Sequence, residues 1–137
     1  MRTFTRFANI FSGVRFNSKS NFAFWNSIAF YNYVKYPTAK TRLFPSNEDF
    51  IKSLEAFKET LESLKPDLII FWGDRLWNNF PKENHKQINR DETKIHYLDY
   101  QRKIPFKVIP HPASSKLSYP HTNEIKDYIK LVKSITL

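Results

Sequence analysis

The chain has 137 residues, a formal net charge of +9, 41% hydrophobic and 17% aromatic residues, and two glycines. That length suits one folding unit with a modest core, and so apolar and ring-rich a composition excludes a disordered chain. The absence of cysteine excludes a disulfide framework, a thiol nucleophile and a thiolate zinc site, and it accords with a reducing compartment.

The positive charge is unevenly placed. No Asp or Glu precedes Glu48, whereas residues 1–47 hold Arg2, Arg6, Arg15, Lys19, Lys35, Lys40 and Arg42. Basic side chains interleaved with Phe, Tyr and Trp suit phosphate contacts and base stacking. Two plainer readings compete: an acid-poor, arginine-containing N-terminus fits a transit peptide, and a basic surface keeps a protein dissolved. No apolar run approaches a membrane span, and residues 1–20 lack the continuous apolar core of a signal peptide. The expected location is therefore cytoplasmic, with no membrane partner.

In chain order, the first expected element is a helix over 2–11. Residues 25–31 read as a strand ending at Asn32. Phe50, Leu54, Phe57, Leu61 and Leu64 recur at helical spacing, and Ser46 with Asp49 three residues later supplies the start signal, so one helix is expected over 46–64. Residues 67–72 form a continuous apolar run between Pro66 and Gly73, as a strand covered on both faces requires, and this strand is expected at or near the sheet centre. Asp74 can cap a short helix over 75–77 that Pro81 ends. Short strands are expected over 94–98 and 106–109, with a turn at Gln101 and Arg102. A last helix over 122–134 carries Ile125, Tyr128, Ile129 and Val132 on one face. His85 and His96 read as surface or strand residues, and four histidines without ligand spacing give no metal site. Alternating helices and strands predict an α/β layered domain, whose ligands sit beyond the carboxyl ends of its strands. Three such ends are expected to converge: Asn32 and Tyr33, Gly73 and Asp74, and His111 and Pro112.

In order and character these ends resemble the uracil-DNA glycosylase superfamily. Ile28, Ala29, Phe30, Tyr31 and Asn32 look like its strand ending in the asparagine that reads a pyrimidine edge. Leu68 to Gly73 looks like its apolar strand ending in Trp-Gly, and Val108 to Leu117 like its strand and His-Pro loop facing the DNA minor groove. The resemblance runs from about residue 24 onward and implies a three-layer αβα domain, 1–137, with a short, mostly parallel sheet and no cofactor or metal.

A base must leave the stack before its glycosidic bond can be reached, and it is then read by hydrogen bonds and ring stacking. On the resemblance, Asn32 reads the base edge, since an amide offers both donor and acceptor, and Tyr31 or Tyr33 stacks on it. His111 would donate to the negative charge that grows on the pyrimidine. Pro112, Ser114, Ser115, Lys116, Arg2, Arg6 and Arg15 would contact DNA, single- or double-stranded, with Leu117 as an apolar wedge. Leu117 lies further from the His-Pro pair than the family's leucine, and Ala113 stands where the family has serine. The plainer readings are a turn former for Asn32, a rigid-loop residue for His111, and core packing for Phe30, Tyr31, Trp72 and Trp77.

The family's first strand and its loop, which position the attacking water, have no counterpart before Phe24. Asp74 is the local substitute expected for that acid, against a role as helix cap. The missing strand is central in the family, so its loss implies a truncated product completed by a companion chain, a rearranged sheet or homo-oligomer covering the exposed edge, or a shortened coding start. Three classes of function follow: a glycosylase, a reduced module that binds a base without hydrolysis, and an interaction protein that recruits a partner.

Overall fold

The computed structural model describes residues 2–13, 24–26, 28–35 and 44–137. Among the described residues the elements are, in order, α1 (Arg2–Ser12), α2 (Asn47–Lys52), α3 (Leu54–Leu64), β1 (Ile69–Trp72), α4 (Asp74–Asn79), β2 (His85–Arg90), β3 (Thr93–Asp99), β4 (Lys103–Ile109) and α5 (Pro120–Lys133). The chain is mixed α/β, and the strands form one mixed sheet in the order β1-β4-β3-β2. The sheet departs from the mostly parallel one expected because β2, β3 and β4 form an antiparallel meander, joined by tight turns rather than helical crossovers. The first turn is Asp91 and Glu92, both left-handed at φ 48° and 66°, the conformation a two-residue hairpin needs.

Two expectations fail in the same place. The strand expected over 25–31 is absent: residues 24–26 are helical, and 28–32 have no regular structure. Trp25 and Phe30 spend their rings on Phe4 and Trp72, at centroid distances of 5.1–6.5 Å, rather than alternating across a sheet. Among the described residues β1 is consequently an outermost strand, not a central one.

Chain contacts gather into two compact units. The first comprises Met1–Phe30, Trp72–Asp74 and Val108–Leu137. Here α1 buries Phe7, Ala8 and Ile10, and α5 buries Thr122, Ile125 and Tyr128. The two helices pack together, and the Thr122 hydroxyl donates to the Ile10 carbonyl near the end of α1, satisfying an acceptor that the helix itself leaves open. Gly13 closes α1 with φ 76° and a 2.8 Å N–H bond to the Asn9 carbonyl. A Cβ there would stand 2.9 Å from Thr122 Cγ2, so glycine is required both by conformation and by space.

The second unit comprises Tyr31–Phe71 and Arg75–Lys107. The expected capping box forms: Ser46 Oγ accepts from Asp49 N–H at 3.2 Å, and Asp49 Oδ2 accepts from Ser46 N–H at 2.9 Å. The single helix expected over 46–64 is two, broken at Ser53, whose buried hydroxyl donates to the Asp49 carbonyl at 2.7 Å. Serine competes with the helical backbone in this way. Phe50, Phe57 and Leu61 point inward as the spacing requires, while Leu64 is exposed. The core continues through Phe71, Phe80, Ile95, Leu98 and Phe106. Strand β2, with one apolar residue in His-Lys-Gln-Ile-Asn-Arg, has no hydrophobic alternation to announce it.

His85 on β2 and His96 on β3 are half-buried, with Nε2 of the first 3.0 Å from Nδ1 of the second. Burial, with Lys82 near His85 and with His85, Lys94 and Lys107 near His96, lowers both pKa values below the ordinary 6.5. Between the lowered folded values and 6.5 the unfolded chain binds more protons, so the contribution is complete above 6.5 and declines as pH falls below it. Denaturant unfolding from pH 7.5 to 5 should show that decline, and it should flatten when His85 and His96 are both replaced by Gln.

Candidate functional site

Within the first unit, two of the three expected strand ends meet. Gly73 follows β1 at φ 95°, a conformation costly to any residue with a Cβ, and its N–H donates to the Ile109 carbonyl at 2.8 Å. A Cβ on Gly73 would lie 3.4 Å from that of His111, an ordinary contact distance, so it is the backbone conformation that calls for glycine here. The Trp72 ring meets the His111 ring edge-on at 5.8 Å.

His111 is exposed, but its orientation is fixed by its own loop. The Ala113 N–H donates to His111 Nδ1 at 3.0 Å, and the Ser114 N–H donates to the His111 carbonyl at 2.8 Å. An Nδ1 that accepts leaves the proton of a neutral ring on Nε2. The side chain is thus an Nε2–H donor, the form that stabilising charge on a base oxygen requires.

The loop is in turn held by Arg6, which directly precedes the buried Phe7 and Ala8 of α1. One guanidinium nitrogen donates to the carbonyls of Pro112 (3.2 Å) and Ser114 (2.7 Å), and the other terminal nitrogen to that of Leu117. Only arginine offers a rigid fork able to reach three acceptors in one plane. Within the loop, the Lys116 N–H donates to Ser114 Oγ at 3.2 Å, while Ser115 and Lys116 remain exposed.

Several expected roles need correction. Arg6 is occupied by loop carbonyls and is a clamp rather than a free phosphate ligand. Leu117 is fully buried, and Pro112 is buried with it, so neither is a surface wedge or contact in this conformation. Tyr33 is core: Phe50, Phe57 and Phe80 surround its ring, its hydroxyl donates to the Phe50 carbonyl at 2.6 Å, and burial raises its pKa. Tyr31 is half-buried on Phe57 with Lys35 Nζ 4.1 Å from its ring centre. Asn32 is exposed but terminates no strand; with Tyr31 and Tyr33 it belongs to the second unit. Asp74 is exposed and opens α4 as its first helical residue. The side chain of Arg2, and Arg15 altogether, lie outside the described residues.

A groove of about 570 Å³ in the same unit runs along α1 beside residues 115–119, and no sequence pattern announced it because its walls come from distant segments. Among the described residues no cluster of His, Asp or Glu suits a metal ion, and no helix is long and apolar enough to cross a membrane. No protein-family model, curated protein or solved structure matches the chain.

The clamp predicts a measurable loss of stability. Arg6→Met leaves three loop carbonyls without their charged donor and should cost about 3 kcal/mol in urea unfolding, given about 1.5–3 kcal/mol for a hydrogen bond to a charged group. Arg6→Lys should restore only part of this, since one ammonium cannot span the fork.

Proposed function

We propose that the chain is a uracil-DNA-glycosylase-like protein that binds nucleic acid and recognises a pyrimidine taken out of the stack. The observation that supports this reading is His111: an imidazole whose Nδ1 accepts from the Ala113 N–H, leaving Nε2 to donate, on a loop tied to α1 by Arg6. A donor fixed before the ligand arrives requires no rearrangement when negative charge appears, which is the source of its effect on a developing anion. In this reading His111 donates to the pyrimidine, and Ser115 and Lys116 contact the strand. The activity proposed is binding. Hydrolysis of the base-sugar bond needs a group that positions water, and Asp74, exposed at the start of α4, is the one candidate for it.

A second reading, an interaction protein completed by a companion chain or a second copy, draws on the outermost position of β1 in the described sheet. An unpaired strand edge is a template for another strand. Light scattering across a concentration series separates it from the first reading: a stable oligomer without affinity for oligonucleotides would favour it.

The first reading is tested with uracil-containing and matched uracil-free oligonucleotides, following binding and abasic-site formation at two salt concentrations. Affinity should fall with salt, as phosphate contacts require, and the uracil oligonucleotide should be preferred. His111→Ala should remove that preference while sparing general binding. Equal affinity of the wild-type chain for both oligonucleotides would overturn the base-recognition reading, and abasic-site formation lost in Asp74→Asn would extend it to catalysis.

A further inference from the structure

The groove on α1 is a built feature with its own chemistry. Its volume of about 570 Å³ lies within the range of roughly 300–1,000 Å³ typical of small-ligand sites. Ile10 and Leu117, 3% and 0% exposed, supply apolar lining. Tyr119 lines it too and stays 54% exposed, so a large part of its ring is free to cover a planar partner. Thr5, Asn9, Ser115 and Ser118 add hydroxyl and amide groups, which can donate and accept. Among the described residues that line it, Arg6 is the one charged side chain and none is a carboxylate.

Those properties select among ligands. A lining with no acid and one guanidinium disfavours cations. Apolar surface beside an exposed phenol favours a flat ring, and the hydroxyls and amide favour a ring with hydrogen-bonding edges. The unit that carries the groove holds eight Lys and Arg against three Asp and Glu in sequence, so it attracts anions. A nucleotide combines all of these features, and a strand of them supplies the phosphates that a basic surface attracts. Ring stacking on exposed aromatics beside basic residues is the general mode of single-strand binding.

We infer that this groove is a nucleotide subsite for single-stranded DNA, stacking one base on Tyr119 and continuous through Ser115 with the strand contact proposed beside His111. The inference rests on the proposed nucleic-acid binding and adds a second point of attachment to it. Because Arg6 lines the groove and also holds the His111 loop, a strand seated there touches the element that orients the imidazole.

The test measures fluorescence anisotropy of a labelled oligo(dT) with the wild-type chain and with Tyr119→Ala, Tyr119→Phe and Ser115→Glu, each folded by circular dichroism. Loss of one base stack should weaken binding about tenfold in Tyr119→Ala, Tyr119→Phe should bind like wild type because the ring remains, and Ser115→Glu should weaken binding by placing a carboxylate at the groove. Wild-type affinity in both Tyr119→Ala and Ser115→Glu would overturn the subsite while leaving nucleic-acid binding intact. No affinity of the wild-type chain for any oligonucleotide would overturn both.

Discussion

One guanidinium carries the organisation of the first unit. Arg6 projects from α1 and satisfies the carbonyls of Pro112, Ser114 and Leu117, which lie beyond the end of β4 where the backbone leaves the sheet. Half-buried loop carbonyls without partners are costly, so the loop takes its shape from where the fork can reach. The Thr122–Ile10 bond draws the start of α5 to the end of α1, and Leu117 is sealed beneath. The outcome is a short loop with a buried underside and an exposed histidine.

That arrangement explains how an exposed side chain is held in one orientation. His111 is fixed through its acceptor nitrogen by Ala113 and its carbonyl by Ser114, and Gly73 stands beside it at the end of β1. Replacing Gly73 would impose strain at φ 95°, next to the imidazole that Trp72 meets edge-on. The chemistry proposed for His111 therefore depends on the backbone at Gly73 and on the clamp at Arg6.

Much of this organisation was readable from residues. The capping pair Ser46 and Asp49, the apolar run into Gly73, the strands beyond 94 and 106, and the final helix all follow from local pattern, and local pattern is what fixed them. The misses arise where tertiary contacts decide. Residues 25–31 are apolar enough for a strand, but Trp25 and Phe30 join a cluster of rings with Phe4 and Trp72. Strand β2 is polar, and what makes it a strand is its antiparallel ladder to β3 rather than a hydrophobic pattern of its own. Tyr33 and Leu117 looked like ligand contacts by position, yet both are buried by partners far along the chain. Arg6 was visible as charge; its role as a clamp required knowing that the loop after β4 returns to α1.

The most direct test of this account is the tautomer of His111, read from long-range proton-nitrogen NMR correlations of the imidazole in the wild-type chain at a pH where the ring is neutral. The account predicts a proton on Nε2 with Nδ1 accepting. A ring protonated on Nδ1, or one averaging freely between the two tautomers, would contradict it.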